Sequence, residues 1–183
     1  MLGYGVRRVA LLAIIGALAV GTWGTLQFLK EHDAVFSSTA VALGQEDREA
    51  YLTRRLEHYP AARFVRNRVP PQARVLFIGE TRPYHFARLG LAPSAYDAHP
   101  LRDWVMVSAS VEALAGRVAA EGFTHVVLNI PEFSRIRNKY GVLAFAGEEA
   151  AEYDRRLKAL PKVLRPLFVE RGVYVFQVPE HRL

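Results

Sequence analysis

At 183 residues, with 24 Lys and Arg against 18 Asp and Glu, the chain has the length for one ordinary domain plus an appendage and a formal charge of +6. From Lys30 onward 22 basic residues face 18 acidic ones, scattered and without a Lys/Arg block interleaved with aromatics, which argues against a nucleic-acid partner. Cysteine is absent, so disulfides, thiol nucleophiles and thiolate metal sites are excluded.

Val9–Leu29 is an uncharged run of 21 residues, and about 20 such residues in a helix cross the hydrocarbon of a bilayer. Arg7 and Arg8 precede it, whereas Lys30, Glu31, His32 and Asp33 nearly balance beyond it. The positive-inside bias therefore predicts a cytoplasmic amino terminus, lipid around residues 9–29, and an extracytoplasmic remainder, periplasmic in a bacterial inner membrane. The competing reading is a signal peptide cleaved after Ala17-Leu18-Ala19; apolar character that continues through Trp23 and Phe28 favours the anchor.

The sequence divides into a membrane segment over residues 1–29, a linker over 30–44 without a clear period, and an α/β domain over 45–183. Gln45–Tyr59 predicts a helix, with Leu52, Leu56 and Tyr59 on one stripe, Glu46, Asp47 and Glu49 in the first turn, and Pro60 ending it. A short helix over Ala61–Asn67 precedes Pro70 and Pro71.

The domain is organised around Arg74–Phe86, RVLFIGETRPYHF. Val75–Ile78 is the unbroken apolar run of a strand covered on both faces, and Gly79 turns the chain. Pro83 then opens a helix through Leu89 to a stop at Gly90. Ser94–Asp97 reads as a short edge strand. Ser110 caps a helix carrying Val111, Leu114 and Val118 to Gly122, and Phe123–Ile130 is a second apolar strand in a parallel crossover. Glu148–Leu160 is helical, and Leu167–Glu170 with Val173–Val178 forms a hairpin about Arg171 and Gly172. The predicted class is thus α/β: one amino-terminal transmembrane helix, then a three-layer, mostly parallel Rossmann-like domain ending in a β-hairpin.

Open α/β sheets keep their crevice at the carboxyl ends of the strands. Glu80, Arg82 and Tyr84 lie there, with His125 and Asn129 from the neighbouring strand and Glu132 and Arg135 following Pro131; these are the candidates for ligand binding or interaction. A local charge pair with ordinary caps is the plainer reading. A dinucleotide fits poorly, because Gly79 stands alone and the Glu80 carboxylate would repel phosphate, and no cofactor is expected. His85, His99 and His125 lack metal-ligand spacing, so no metal is expected either. Ser108, Ser110 and Ser134 lie outside any nucleophile elbow and read as caps. Tyr140, Leu143 and Phe145 offer either an exposed apolar patch or loop packing onto the sheet.

The succession GETRPYHF, a helix, GFTHVVLN, PEFSRIRNKYG and FVERGVYVFQV resembles the extracytoplasmic carboxyl-terminal domain of bacterial GT-C type glycosyltransferases. These are multi-span enzymes, related to protein mannosyltransferases, that take sugars from polyprenyl-phosphate donors. The resemblance covers roughly Tyr51 to Val178, with Val9–Leu29 standing for the last span. The family's catalytic acidic residue sits on an early extracytoplasmic loop with no counterpart here, so no catalytic residue carries over. The resemblance therefore implies a chain that is not catalytic on its own: an accessory or structural subunit contacting other membrane proteins. The non-catalytic half of a split glycosyltransferase and an exported soluble ligand binder are the alternatives.

Overall fold

The computed structural model describes residues 3–179 and falls into two compact units, one ending at Arg55 and one beginning at Leu56.

The first unit is dominated by α1 (Tyr4–Phe36). The uncharged run thus lies within a helix about two turns longer at its carboxyl end than the apolar segment itself, with Lys30–Asp33 extending it. Gly5–Phe36 is long and apolar enough to cross a membrane, and none of its most apolar window is buried. Ser37 ends α1 in the left-handed region, its N–H donating to the Asp33 carbonyl at 2.7 Å, and the Asp33 carboxylate accepts from the Thr39 N–H at 2.7 Å. That lock starts α2 (Thr39–Ala42) inside the stretch expected as an irregular linker. Next comes α3 (Arg48–Arg55), capped by the Asp47 carboxylate, which accepts from the N–H groups of Glu49 and Ala50. Tyr51 donates its hydroxyl to the Phe36 carbonyl at 3.0 Å and Arg55 donates to the Val35 carbonyl. α3 falls in the compact unit that ends at Arg55.

In the second unit α4 (Tyr59–Arg68) begins where the long predicted helix was to end. Pro60 lies in its first turn, where a missing N–H costs nothing and the fixed φ suits the helix, so the residue taken as a stop is a start. Among the described residues five strands follow: β1 (Arg74–Ile78), β2 (Leu89–Leu91), β3 (His125–Asn129), β4 (Arg165–Glu170) and β5 (Val173–Gln177). They form one sheet in the order β2-β1-β3-β5-β4. β1 runs parallel to both β2 and β3, and β5 is antiparallel to both its neighbours, so four of the five strands point the same way.

Two of the predicted elements moved. The helix expected from Pro83 to Gly90 is a single 3₁₀ turn, Pro83–Phe86, closed by Ala87 in the left-handed region, and Leu89–Leu91 is the edge strand. Arg88 fixes that edge by donating to the carbonyls of Arg66, Val69 and Pro70 at the end of α4. Ser94–Asp97, expected as the edge strand, is a turn closed by the Asp97 carboxylate accepting from the Ser94 N–H at 2.9 Å.

Both faces of the sheet are covered. Leu76, Ile78, Val126, Leu128 and Phe176 pack against α5 (Leu101–Val107), α6 (Val111–Ala120) and α8 (Ala150–Val163). The alternate residues Val75, Phe77, Val127, Val173 and Val175 pack against α4 and Phe86. Alternation along strands buried on both sides explains the continuous apolar runs, each fully buried side chain contributing about 1.5–3 kcal/mol. Ser110 caps α6 by accepting from the Ala113 N–H at 3.2 Å. α7 (Ile130–Tyr140) follows β3 directly, and Leu143 and Phe145 just after it belong to the core rather than to an exposed patch.

Candidate functional site

At the carboxyl end of β1 the backbone leaves the sheet through Gly79, whose φ is 75°. No side chain fits there, because an added Cβ would lie 2.6 Å from the Asn129 carbonyl oxygen and 2.5 Å from Phe133 Cβ. α7 therefore backs directly onto the end of β1. The turn sends the next side chain, Glu80, into the interior, where it is wholly buried.

A buried carboxylate must be satisfied from within the protein. Glu80 Oε1 accepts from the Arg82 backbone N–H and from Arg82 Nε, both at 2.9 Å, and Oε2 accepts from Asn129 Nδ2 at 2.9 Å and from Arg82 Nη2 at 3.3 Å. Asn129 in turn caps α7, its Oδ1 accepting from the Glu132 N–H at 3.2 Å. One side chain thus ties the end of β1 to the end of β3 and to the start of α7. The same carboxylate raises the pKa of the Arg82 guanidinium, half of whose side chain is exposed.

The fourth member is His58, the cap residue of α4, which is fully buried against Phe86 and His85 with ring centroids at 6.1 and 5.4 Å. Its Nδ1 is 3.4 Å from Glu80 Oε2, close enough for an electrostatic contact, yet neither ring nitrogen makes a hydrogen bond. Burial pushes the imidazole pKa down and outweighs the pull of the Glu80 charge, so the ring is neutral near pH 7. The sequence reading did not single His58 out. The signal was Pro60 as a first-turn residue, which would have placed His58 at a helix start beside the strand end instead of inside the preceding helix.

Outward of this network, Glu132 and Arg135 form a two-bonded pair at 2.7 Å, and the Arg135 guanidinium holds the Glu132 carboxyl below its usual range. Tyr84 is 79% exposed, with its ring 5.1 Å from that of His85. Tyr96 and Tyr140 stack edge-on at 5.4 Å, Tyr96 being 85% exposed. Of the seven residues proposed from sequence, Glu80, Arg82, Asn129, Glu132 and Arg135 come together at this end and Tyr84 sits beside them on the same turn.

His125 does not join them. It opens β3 in register with Val75, four residues and roughly 13 Å from Asn129. It lines an open depression at the amino ends of the strands with Gln72, Thr124 and Gln177, bonded to Thr124 Oγ1 at 2.9 Å. The strand was correctly placed, but its direction puts the histidine at the opposite edge. His99 is elsewhere again, with Nε2 3.1 Å from the Phe77 carbonyl and Nδ1 accepting from the Leu101 N–H, so the three histidines do not converge. Among the described residues, no three His, Asp or Glu side chains gather as metal ligands would. Ser108 donates to the Trp104 carbonyl at 2.6 Å and is a helix cap.

Chemically, the buried part of the site is closed on itself. Glu80 has no exposed oxygen to offer, and what faces solvent is a guanidinium fixed in place, a second arginine paired to Glu132, and aromatic hydroxyls.

No family model and no curated protein matches the chain. Among solved structures it is similar to the C-terminal globular domain of an oligosaccharyltransferase from Archaeoglobus fulgidus, with 15% identity and a TM-score of 0.44 over 68% of this chain and 97% of that domain. That likeness is too distant to assign a family or an activity.

Proposed function

We propose that the chain is a single-span membrane protein whose α/β domain stands outside the cytoplasm and works by protein contact as a non-catalytic subunit of a membrane complex. The observation that carries the reading is α1, whose most apolar window has no core to cover it. An apolar helix exposed on all sides is stable in lipid and not in water. Arg7 and Arg8 before the span support a cytoplasmic amino terminus, which in a bacterium makes the host the inner membrane and the domain periplasmic.

Protein contact is supported by what the strand-end network leaves outside. Tyr and Arg dominate the energetics of interfaces when held rigidly. Arg82 is clamped to a buried carboxylate, and Tyr84 projects from the next turn of chain. Because Glu80 is consumed by internal bonds, the same residues make a poor general acid or base.

Two measurements test this. Alkaline phosphatase fused after the last residue should be active and a cytoplasmic reporter at that point inactive; the reverse pattern refutes the topology. In mild detergent the native chain should migrate as part of a larger complex that Tyr84→Ala with Arg82→Ala weakens by tenfold or more, as loss of a hot spot does. Migration as a monomer, or a complex indifferent to both changes, refutes the contact role.

A further inference from the structure

Between the sheet and α8 lies a cavity of about 220 Å³, partly open to solvent and walled by Val126, Leu128 and Phe176 of the sheet, Phe133 of α7, and Leu157 and Leu160 of α8. Interiors pack to crystal-like density and leave few voids larger than a water molecule. A void of ~150 Å³ lined by such residues stays dry and takes up benzene. Here the lining includes one charged side chain, the exposed Lys158, which forms no ion pair among the described residues. Pro161 lies inside α8 and also lines the cavity; it has no N–H for the Leu157 carbonyl, so this wall is not pinned by its helical bond.

We propose that this cavity is a binding site for an unbranched alkyl carboxylate of roughly eight carbons, a length scaled from the benzene-sized void, with its tail among these side chains and its carboxylate against the Lys158 ammonium. Charge sets the polarity of the ligand, since the only ionised group at the cavity is a cation. Volume sets its length. Most of a membrane phospholipid tail, which spans one leaflet or about 15 Å, would have to lie outside this volume. Ile78, Ile130 and Phe133 border both the cavity and the strand-end turn, but neither Glu80 nor Arg82 lines the cavity, and the site does not depend on the contact role proposed above.

Equilibrium dialysis of labelled alkyl carboxylates against the full chain in nanodiscs, with empty nanodiscs subtracted, tests the site. Affinity should rise about fourfold per methylene from butanoate to octanoate, the value of a buried CH₂, and then fall for dodecanoate. Simple partitioning into a greasy surface would keep rising with length, so a continuous rise overturns the proposal, as does the absence of saturable binding. Lys158→Gln should weaken octanoate roughly two- to fivefold and leave 1-octanol unchanged; an unchanged octanoate affinity also overturns it. Val126→Phe should fill the cavity and abolish binding. If circular dichroism shows that variant unfolded, the length series and Lys158→Gln decide alone.

Discussion

Gly79→Ala should destabilise the α/β unit far more than its single methyl group suggests. At φ 75° an L-residue costs about 1–2 kcal/mol in the left-handed region. The added Cβ would also lie 2.6 Å from the Asn129 carbonyl oxygen, 2.5 Å from Phe133 Cβ and 2.7 Å from Phe133 Cα. Two of those atoms are backbone, so relief requires α7 to retreat from the end of β1, an overpacking strain worth about 1–3 kcal/mol. The sum is roughly 2–5 kcal/mol. Gly141 is the internal control, because it caps α7 at φ 70° with nothing within 4 Å of an added Cβ. Gly141→Ala should lose only the conformational part, about 1–2 kcal/mol. Urea unfolding followed by near-ultraviolet circular dichroism gives both losses as midpoint shifts at constant slope. Equal shifts would refute the close approach of α7 to β1.

Glu80→Ala should cost about 2–4 kcal/mol, since it strands Asn129 Nδ2 in the interior and frees Arg82, whose partial exposure keeps the loss below that of a fully buried pair. Glu80→Gln keeps an acceptor and should lose less; identical losses in the two variants would contradict the bonding described. His58, His99 and His125 all have folded pKa values pushed below the ordinary 6.5 by burial. The unfolded chain binds these protons first, so their contribution is whole above about pH 6.5 and is lost as pH falls through the folded values. Unfolding midpoints should therefore drop between about pH 7.5 and about pH 5.5, and His58→Leu should remove part of the drop. Glu132, held below its ordinary 4.5 by Arg135, adds loss only at lower pH. A flat profile across the upper window would contradict the neutral, buried imidazoles.

The parts of the fold most readable from sequence were those that bury on both sides. Val75–Ile78 and the run through Leu128 were unbroken because alternate residues serve opposite layers, and Ser110 marked α6 because a cap is a local device. α5 was missed since seven residues, with Leu101, Trp104 and Val105 inward, are too few to show a period. α7 was missed because only Ile136 among its residues is fully buried, which leaves its apolar signal thin. The pairing of Glu80 with Arg82 is local, the two residues lying two apart in the chain. That of Glu80 with His58 depends on α4 starting at Tyr59, a boundary at which Pro60 is consistent with two opposite readings. His125 failed for another reason: it opens a strand parallel to β1 and so lies at the amino end, away from the crevice, a consequence already contained in the predicted parallel crossover.

The placement of β5 has a consequence for how the domain folds. Among the described residues it is the last strand in chain order, but it lies inside the sheet, flanked by β3 and β4. Its partnership with β4 is local and forms quickly, whereas Val173 opposite Asn129 closes a loop of more than forty residues. Until residue 177 is available, β3 has one bare edge and Val126, Val127 and Leu128 lack their respective partners Phe176, Val175 and Tyr174. A chain threaded across a membrane from its amino terminus would therefore stay incompletely folded until its final strand had crossed. During that interval the bare edge of β3 is the segment most exposed to wrong pairing.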